Sequence, residues 1–293
     1  MNLLEMRNFD LDDLVMVHAV AAHGGVTRAA QALHRVPSNI TTRIKQVEAR
    51  MGLALFTRRG RGLVPTQEGR LLISYAERLL RLADEAESAL RVGRPLGTLR
   101  IGAMESTAGS RLPQLLARYN RANPAVRIEL VTGTTGALIG RLARHDVEAA
   151  FIAEPFHAAP GIAAQPVFKE ELVLITASAI RKLSDLQNIT LITFASGCAY
   201  RRLLEQWQSE QGVGAGGVLE FASYPAIVAC VAAGTGVALV PRSVLDGLRA
   251  AKSVRTHKLP AHLTHNRTHL IWHEGQESPA LRSLRELLRE DRL

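Results

Sequence analysis

Apolar residues near the N-terminus recur at the spacing of short helices. They return every three or four positions between Leu11 and Ala22, and Gly24-Gly25 predicts the end of this first helix. A second helix follows, with the small residues Ala29 and Ala30 on one face, where another helix can cross closely. A short turn at residues 34–36 then predicts two helices joined as a helix-turn-helix.

The third predicted helix has one apolar and one polar face. Pro37 suits its first turn, and Ser38 or Asn39 is expected to cap it. Its buried stripe is Ile40, Ile44, Val47 and Met51. The polar positions carry amide, hydroxyl and cationic groups that can read base edges in a major groove. The predicted DNA contacts of the second and third helices are Arg28, Pro37, Ser38, Asn39, Thr41, Thr42, Arg43 and Lys45.

A glycine-punctuated basic segment follows the third helix, from Leu53 to Thr66. It is interpreted as a hairpin wing. Arg58, Arg59 and Arg61 on such a wing can reach the DNA backbone or a narrow minor groove. The alternative is a small three-helix core with a solvated hairpin.

Residues 66–92 predict a long amphipathic helix of about 40 Å. Its apolar stripe needs a partner, and a second copy of the chain would give a two-fold dimer that reads two half-sites. The alternative is packing on the next domain of the same chain. A linker is expected at residues 93–97, so the predicted domains are residues 1–65, a helix and hinge at 66–94, and residues 95–293.

In the second half of the chain, short apolar runs alternate with helical stretches. This alternation indicates βαβ units, a parallel sheet with covered faces and an α/β fold. A change of subdomain is expected at residues 171–176, so that two lobes enclose a cleft at the carboxyl ends of their strands. No catalytic constellation is found there, which predicts a protein that is not an enzyme.

The charge of the chain is concentrated near its N-terminus. The 293 residues include 36 basic and 27 acidic ones, a net charge of +9. Nine basic and only two acidic residues lie between Arg28 and Arg70. This local density is expected of a surface that contacts phosphates, and the positions of these arginines favour double-stranded DNA as the partner.

The remaining composition limits the other possibilities. Cys198 and Cys230 cannot form a disulfide framework, so a reducing, cytoplasmic location is expected, and a redox switch between them is an alternative. No apolar run predicts a membrane span. Histidines around residues 265–273 are interpreted as a solvated sheet edge, so no metal or other cofactor is expected. Either Met1 or Met6 is the natural start.

The order and spacing of several motifs resemble the LysR-type transcriptional regulators. They run through nearly the whole chain: Ala29-Ala30 with Leu33, Ile44 with Glu48, Leu55-Phe56 with Arg58, Thr66 with Gly69, Leu112-Pro113, Asn123-Pro124 and Gly234 to Pro241. The resemblance implies a winged helix-turn-helix, a linker helix, a periplasmic-binding-protein-like effector domain, a homodimer or homotetramer, and RNA polymerase as a further candidate partner. One departure lies at the start of the recognition helix, where Val36-Pro37-Ser38-Asn39 stands in place of the Ser-Gln-Pro that family members commonly carry. The base contacts usually made by that Gln therefore cannot be assigned to a residue of this chain.

Loops after the predicted strands supply the candidate effector contacts. The resemblance assigns effector-binding hydroxyls to Ser106, Thr107 and Thr134. The hypothesis is that Glu105 or Glu154 meets a ligand ammonium group, while those hydroxyls or Arg201 meet an anionic end, which favours an amine, an amino acid or a related zwitterion. Alternatively, these carboxylates cap helices or pair with surface arginines. The other candidates are Thr135, Ser196, Cys198 and Tyr224.

Two other functional classes stay open at this point. One is a cytosolic solute-binding or enzymatic α/β protein with an accessory DNA-binding domain. It would need a phosphate loop or an acid/base set, and residues 134–140 lack the Gly-Lys-Ser/Thr ending of a P-loop. The other is an architectural DNA binder without sequence preference, which would not require a two-lobed cleft.

Overall fold

The structure is a computed structural model that describes residues 8–60, 62–90, 95–186, 188–212 and 214–290. The chain divides into two units, Met1–Glu87 and Ser88–Leu293, and each is described here by itself. Met1 and Met6, the alternative starts, and residues 91–94 of the predicted linker lie outside the described residues.

The first unit contains three short helices, a hairpin and a long helix. Its elements are α1 (Leu11–His23), α2 (Val26–Ala32), α3 (Pro37–Met51), β1 (Phe56–Arg59), β2 (Gly62–Pro65) and α4 (Gln67–Leu90). The helices enclose a single core, in which Leu14, Val17, Ile40 and Val47 are almost inaccessible to solvent. The two strands pair in antiparallel orientation. This arrangement is the predicted winged helix-turn-helix.

The residues at the ends of α1 and α3 explain their limits. The Asp10 carboxylate accepts a hydrogen bond from the Asp13 N–H at 2.8 Å, and the Asp13 carboxylate accepts one from the Asp10 N–H. This reciprocal pair satisfies free backbone donors at the start of α1. Gly24 and Gly52 end α1 and α3 in the left-handed conformation, which glycine adopts without a steric penalty.

The start of α3 differs from the prediction in one respect. Pro37 is the first helical residue, as expected. The cap position is Val36, and no side chain makes a capping hydrogen bond there. The prediction that Ser38 or Asn39 caps this helix is therefore wrong, because both residues lie within its first turn, where their side chains remain exposed.

The second unit is a two-lobed α/β structure. Its elements are β3 (Gly97–Ala103), α5 (Glu105–Ser110), α6 (Leu112–Ala122), β4 (Val126–Thr132), α7 (Thr135–Ala143), β5 (Ala149–Ala153), β6 (Ile162–Ala177), a short 3-10 helix (Leu183–Asp185), β7 (Ile189–Thr193), α8 (Ala199–Gln211), β8 (Ala215–Glu220), α9 (Tyr224–Ala232), β9 (Ala238–Pro241), α10 (Arg242–Leu248), β10 (Val254–His257), α11 (Ala261–Thr264), β11 (His265–His273) and α12 (Pro279–Glu290).

Strand β6 is shared by the two lobes. Its first part, Ile162 to Glu171, pairs with β11 in the first lobe. Its last part, from Leu172, pairs with β9 and β10 in the second lobe. The strand therefore passes between the lobes close to residues 171–172, within the segment where a change of subdomain is predicted.

The sheets combine parallel and antiparallel pairs. In the first lobe β3 lies parallel to β4 and β5, and in the second lobe β7 lies parallel to β8. These pairs agree with the predicted βαβ units. The predicted parallel pairing covers only part of the sheets, since β6, β9, β10 and β11 enter as antiparallel strands.

The histidine-bearing strand β11 occupies an interior position of its sheet. It lies between β5 and β6, so the prediction of a solvated edge is wrong. His269 Nε2 lies 2.7 Å from the Glu154 Oε1 atom, and His273 Nε2 lies 2.8 Å from the Leu142 carbonyl oxygen. These histidines therefore make separate contacts within the first lobe.

Candidate functional site

A groove of about 770 Å³ lies between α2, α3 and the hairpin of the first unit. Among the predicted DNA contacts, Arg28, Pro37, Thr41, Lys45 and Arg58 line it. These residues come from three elements that the helix-turn-helix core holds together. The structure thus brings one face of α3 and the first strand of the wing to a common surface.

The polar side chains of this surface differ in their exposure and in whether they form hydrogen bonds within the protein. Ser38, Asn39, Thr42 and Arg59 are exposed. The half-buried Thr41 instead donates its hydroxyl to the Pro37 carbonyl oxygen at 3.0 Å, which is a local bond within α3. Arg28 makes a long contact, 3.4 Å, with the Gly24 carbonyl oxygen. Arg61, also predicted on the wing, lies outside the described residues.

Arg43 lies on a different flank of α3, the one that faces α1. Its Nε atom lies 2.8 Å from Asp13 Oδ1, and its Nη2 atom lies 2.9 Å from Asp10 Oδ2. Asp13 is 2% exposed and also pairs with Arg50 at 2.8 Å. The expectation that Arg43 presents a free guanidinium to base edges is therefore corrected, because acidic residues of α1 hold that group.

Glu48 is an acidic residue within the otherwise basic groove. Its Oε1 atom accepts hydrogen bonds from the Leu55 and Phe56 N–H groups at 2.7 and 3.2 Å. The carboxylate thereby fixes the segment that leads from α3 into the wing. Its place among the basic residues of the groove follows from this structural task.

The second unit contains a cavity of about 210 Å³ between its lobes. It lies where strands of both lobes end, since the loops after β3, β4, β7 and β8 all contribute to its wall. Its lining residues are Met104, Glu105, Ser106, Thr132, Gly133, Thr134, Thr135, Phe194, Ala195, Cys198, Tyr200, Phe221, Ala222 and Tyr224. Six predicted effector contacts are among them: Glu105, Ser106, Thr134, Thr135, Cys198 and Tyr224.

Glu105 spans the cavity between the two lobes. Its Oε1 atom accepts a hydrogen bond of 3.4 Å from the N–H of Tyr224, the first residue of α9. Burial raises the pKa of this carboxyl above its usual range, and the Tyr224 N–H opposes that shift. The cavity therefore contains a carboxylate that is partly removed from water.

Two tyrosines and a serine form the buried polar part of the cavity. Ser106, Tyr200 and Tyr224 are each less than 5% exposed. The Ser106 hydroxyl is near both phenols, yet no hydrogen bond of ordinary length reaches Tyr200 Oη. The Phe194 and Tyr224 rings meet edge to face, with centroids 4.9 Å apart.

Four predicted effector contacts lie outside the cavity wall. Thr107 is buried in α5, and Ser196 is exposed. Glu154 pairs with His269. Arg201 Nε lies 2.8 Å from Glu205, and its Nη1 pairs with Glu220. Both groups therefore pair within the protein, Arg201 with two carboxylates and Glu154 with a histidine instead of a surface arginine.

The sequence-based prediction included Tyr224 but missed three other aromatic residues of the cavity. Phe194 directly follows β7 and Phe221 directly follows β8, so the rule that loops after parallel strands line a cleft would have indicated both. Tyr200, the second residue of α8, is the third.

Neither cysteine forms a disulfide: Cys198 is buried in the cavity wall and Cys230 is half-buried. Burial raises the pKa of the Cys198 thiol, which opposes formation of the reactive thiolate at neutral pH. In the described part of the chain, no helix has both the length and the apolar character needed to cross a membrane.

Comparison with known sequences matches both units. A family profile described as "Bacterial regulatory helix-turn-helix protein, lysR family" matches residues 11–70. A second, described as "LysR substrate binding domain", matches residues 93–292. Two HTH-type transcriptional regulators of Bacillus subtilis are similar over most of their length. YusT is 37% identical over 260 residues, 88% of each chain, and GltR is 37% identical over 243 residues, 82% of each.

Solved structures of full-length regulators share the fold. CbnR in complex with its target DNA superposes with a TM-score of 0.68 at 22% identity, over 96% of this chain and 99% of that one. OxyR from Pseudomonas aeruginosa gives 0.67 at 20% identity, over 97% and 95%. The profiles cover both units and the relatives are named regulators. The chain therefore belongs to the LysR family of DNA-binding transcriptional regulators and is not an enzyme.

Proposed function

We propose that this protein binds operator DNA as a dimer or tetramer and is switched by a small polar molecule in the cleft of its second unit. The proposed domains are a DNA-binding domain at residues 1–65, a linker helix and hinge at 66–94, and an effector-binding domain at 95–293. An operator-binding protein acts where the chromosome lies, so we place it in the cytoplasm. RNA polymerase is a further proposed partner.

The surface of the first unit carries the DNA-binding proposal. The exposed polar residues of α3 are Ser38, Asn39, Thr42 and Lys45, and the exposed arginines of the wing are Arg58 and Arg59. Lys45 and Arg58 line the same groove. Side chains of a recognition helix read base edges, whereas wing cations contact phosphates or the minor groove. We therefore assign the choice of DNA sequence to the residues of α3 and the general affinity for DNA to the arginines of the wing.

An exposed apolar stripe on α4 supports self-association. Leu71, Tyr75, Leu79 and Leu82 are each at least 40% exposed and recur at spacings of four and three residues. Such a stripe is costly to leave in water. A second copy of α4 covers it with the same residues, which gives the two-fold symmetry that paired half-sites require.

A nuclease footprint of the upstream region of its own gene tests the proposal. At physiological salt we expect one protected site whose extent changes when an effector is added. Complete absence of protection rejects the regulator. Uniform protection favours the architectural DNA binder, which has no sequence preference.

Substitutions on the two surfaces separate their roles. Asn39→Ala or Thr42→Ala should relax the choice of operator at one position, by about 1–3 kcal/mol for a direct base contact. Arg58→Ala with Arg59→Ala should instead weaken binding to all sequences alike. Arg121→Ala with Arg181→Ala removes the same charge from exposed positions of the second unit and is the matched control, expected to leave DNA affinity unchanged.

A further inference from the structure

The charges that line the cleft are of one sign. Glu105 is its acidic residue, and no Lys, Arg or His is present among the lining residues that the structure describes. Glu105 pairs with no cation among the described residues, and its hydrogen bond from Tyr224 is long. A half-buried carboxylate without a counter-ion gains most from a ligand that brings a positive charge.

The helices that begin at the cleft offer few free backbone N–H groups to an anion. At the start of α9, the Tyr224 N–H goes to Glu105, Pro225 has no N–H, and the Ala226 N–H goes to the Ser223 hydroxyl. These are the groups that would otherwise receive a ligand carboxylate. The whole first turn of α9 is thus occupied by the protein's own atoms.

The starts of α7 and α8 are largely occupied as well. At α7, the Ala137 N–H goes to the Thr134 hydroxyl, and the Gly136 N–H goes to the Gly197 carbonyl oxygen of the opposite lobe at 3.1 Å. At α8, the backbone N–H groups of Tyr200 and Arg201 are directed at the Cys198 sulfur. Helix α5 also begins at the cavity and has no side-chain cap, but its first residue is Glu105. A ligand carboxylate at that start would be repelled by the Glu105 carboxylate, and the described lining offers it no cation.

The remaining wall suits an apolar body that carries an ammonium group. Phe194, Phe221 and Tyr224 present aromatic rings to the cavity, and an aromatic face attracts a cation within about 6 Å. Tyr200 Oη, 3% exposed and without a hydrogen-bond partner among the described residues, can accept one of the three N–H bonds of an ammonium.

The volume of the cavity limits the size of this body. A closed apolar cavity of about 150 Å³ accommodates a benzene ring. The cleft measures about 210 Å³, which leaves room for a ring and a short side chain. An amine with several charged groups would bring more positive charge than the single carboxylate can pair.

From these observations we propose that the cleft binds an organic monoamine, a ring-sized apolar body with one ammonium group and no carboxylate, whose nitrogen contacts Glu105. This inference rests on the proposed function of the cleft as the effector site. It narrows that function, because amino acids and other zwitterions are excluded by their negative group.

Titration calorimetry of the full-length protein with three compounds tests whether the ligand is cationic. The compounds share a phenyl ring and differ in their charged groups. The compounds are 2-phenylethylamine, phenylacetate and phenylalanine. We expect 2-phenylethylamine to bind at least tenfold more tightly than the other two. A tighter complex with phenylacetate or phenylalanine, or no binding of the amine at millimolar concentration, overturns the inference.

Two isosteric variants locate the contact. Glu105→Gln keeps the size of the side chain and should weaken amine binding at least tenfold. Glu154→Gln removes a carboxylate that pairs with His269 outside the cavity wall, so it should leave amine affinity unchanged. Loss of affinity in Glu154→Gln but not in Glu105→Gln overturns the assignment. Operator protection by the same samples, measured without ligand, reports separately on the proposed DNA-binding function.

Discussion

Glu105 combines a partly desolvated carboxylate with a position between two lobes. Burial raises its pKa, so protonation begins at a higher pH than for an exposed glutamate. The amine stays protonated throughout this range, as a lysine side chain does. The charge that attracts the ligand is therefore present above the raised pKa and is lost as pH falls through it.

This titration predicts a pH dependence of binding. The affinity for 2-phenylethylamine should fall as pH drops through the raised pKa of Glu105, approaching about tenfold per pH unit below it. Calorimetric titrations across that range measure it. Glu105→Gln should give a weaker affinity that no longer varies with pH. A wild-type profile as flat as that of the variant would contradict the role of Glu105.

Arg43 shows how a residue on a polar helix face can serve the core. Since it neutralises the 2%-exposed Asp13 and pairs with Asp10, its removal should destabilise the first unit by about 1–3 kcal/mol. Thr42→Ala at the neighbouring exposed position should change stability by less than about 0.5 kcal/mol. Hydrogen exchange of the α1 amides in full-length protein measures both. Equal protection of α1 in the two variants would refute this structural role.

Among the secondary-structure elements, helix α4 has two apolar faces, one buried in its own unit and one exposed. Leu72 and Ala76 pack into the helix-turn-helix core, while Tyr75 and Leu79 remain exposed. One helix therefore stabilises its own unit and still offers an apolar stripe to a partner.

This division predicts the effect of a charge on each side of α4. Leu79→Glu should raise the dissociation constant of the dimer at least tenfold, because a carboxylate would be buried between two copies. Ser74→Glu adds the same charge at an exposed position away from the stripe and should leave the dimer intact. Sedimentation equilibrium measures both constants. If they agree, α4 is not the association surface.

The elements that sequence reasoning predicted well are those with local signals. Gly24 and Pro37 act through backbone conformation within one turn, so the end of α1 and the start of α3 follow from the sequence alone. The position of a strand within a sheet has no such signal. The interior place of β11 depends on its partners β5 and β6, which are distant in sequence.

For the candidate site, too, the sequence predicted the local features and not those that depend on distant residues. Loops after strands are identifiable, and Glu105, Ser106 and Thr134 do lie at the cavity. Whether a charged side chain is free or paired depends on neighbours that the sequence does not reveal. Arg201, for example, is paired with Glu205, one turn away in α8, and with Glu220, which approaches it only through the fold.

For the whole molecule, the distribution of charge places the proposed affinity for DNA and the proposed response to a ligand in different units. The basic surplus of residues 28–70 belongs to the first unit, which carries the proposed DNA-binding groove, whereas the cleft of the second unit contains a carboxylate. The salt dependence of operator binding should therefore depend on the first unit alone.

This separation is measurable as a salt slope. Each phosphate contact contributes about 0.9 to the slope of log affinity against log salt concentration. Arg58→Ala with Arg59→Ala should lower the magnitude of that slope by about two for each bound protomer. Glu105→Gln should leave the slope unchanged. Fluorescence anisotropy of a labelled operator at several salt concentrations provides the values, and an unchanged slope in the arginine variant would contradict the wing contacts.

The occupied start of α9 bears on how effector specificity evolves in this fold. Two of its N–H donors are held by the side chains of Glu105 and Ser223. Replacing both with alanine would free two N–H groups at the positive end of a helix. A regulator that responds to cations could then become one that responds to anions through two substitutions, with the architecture of the cleft unchanged.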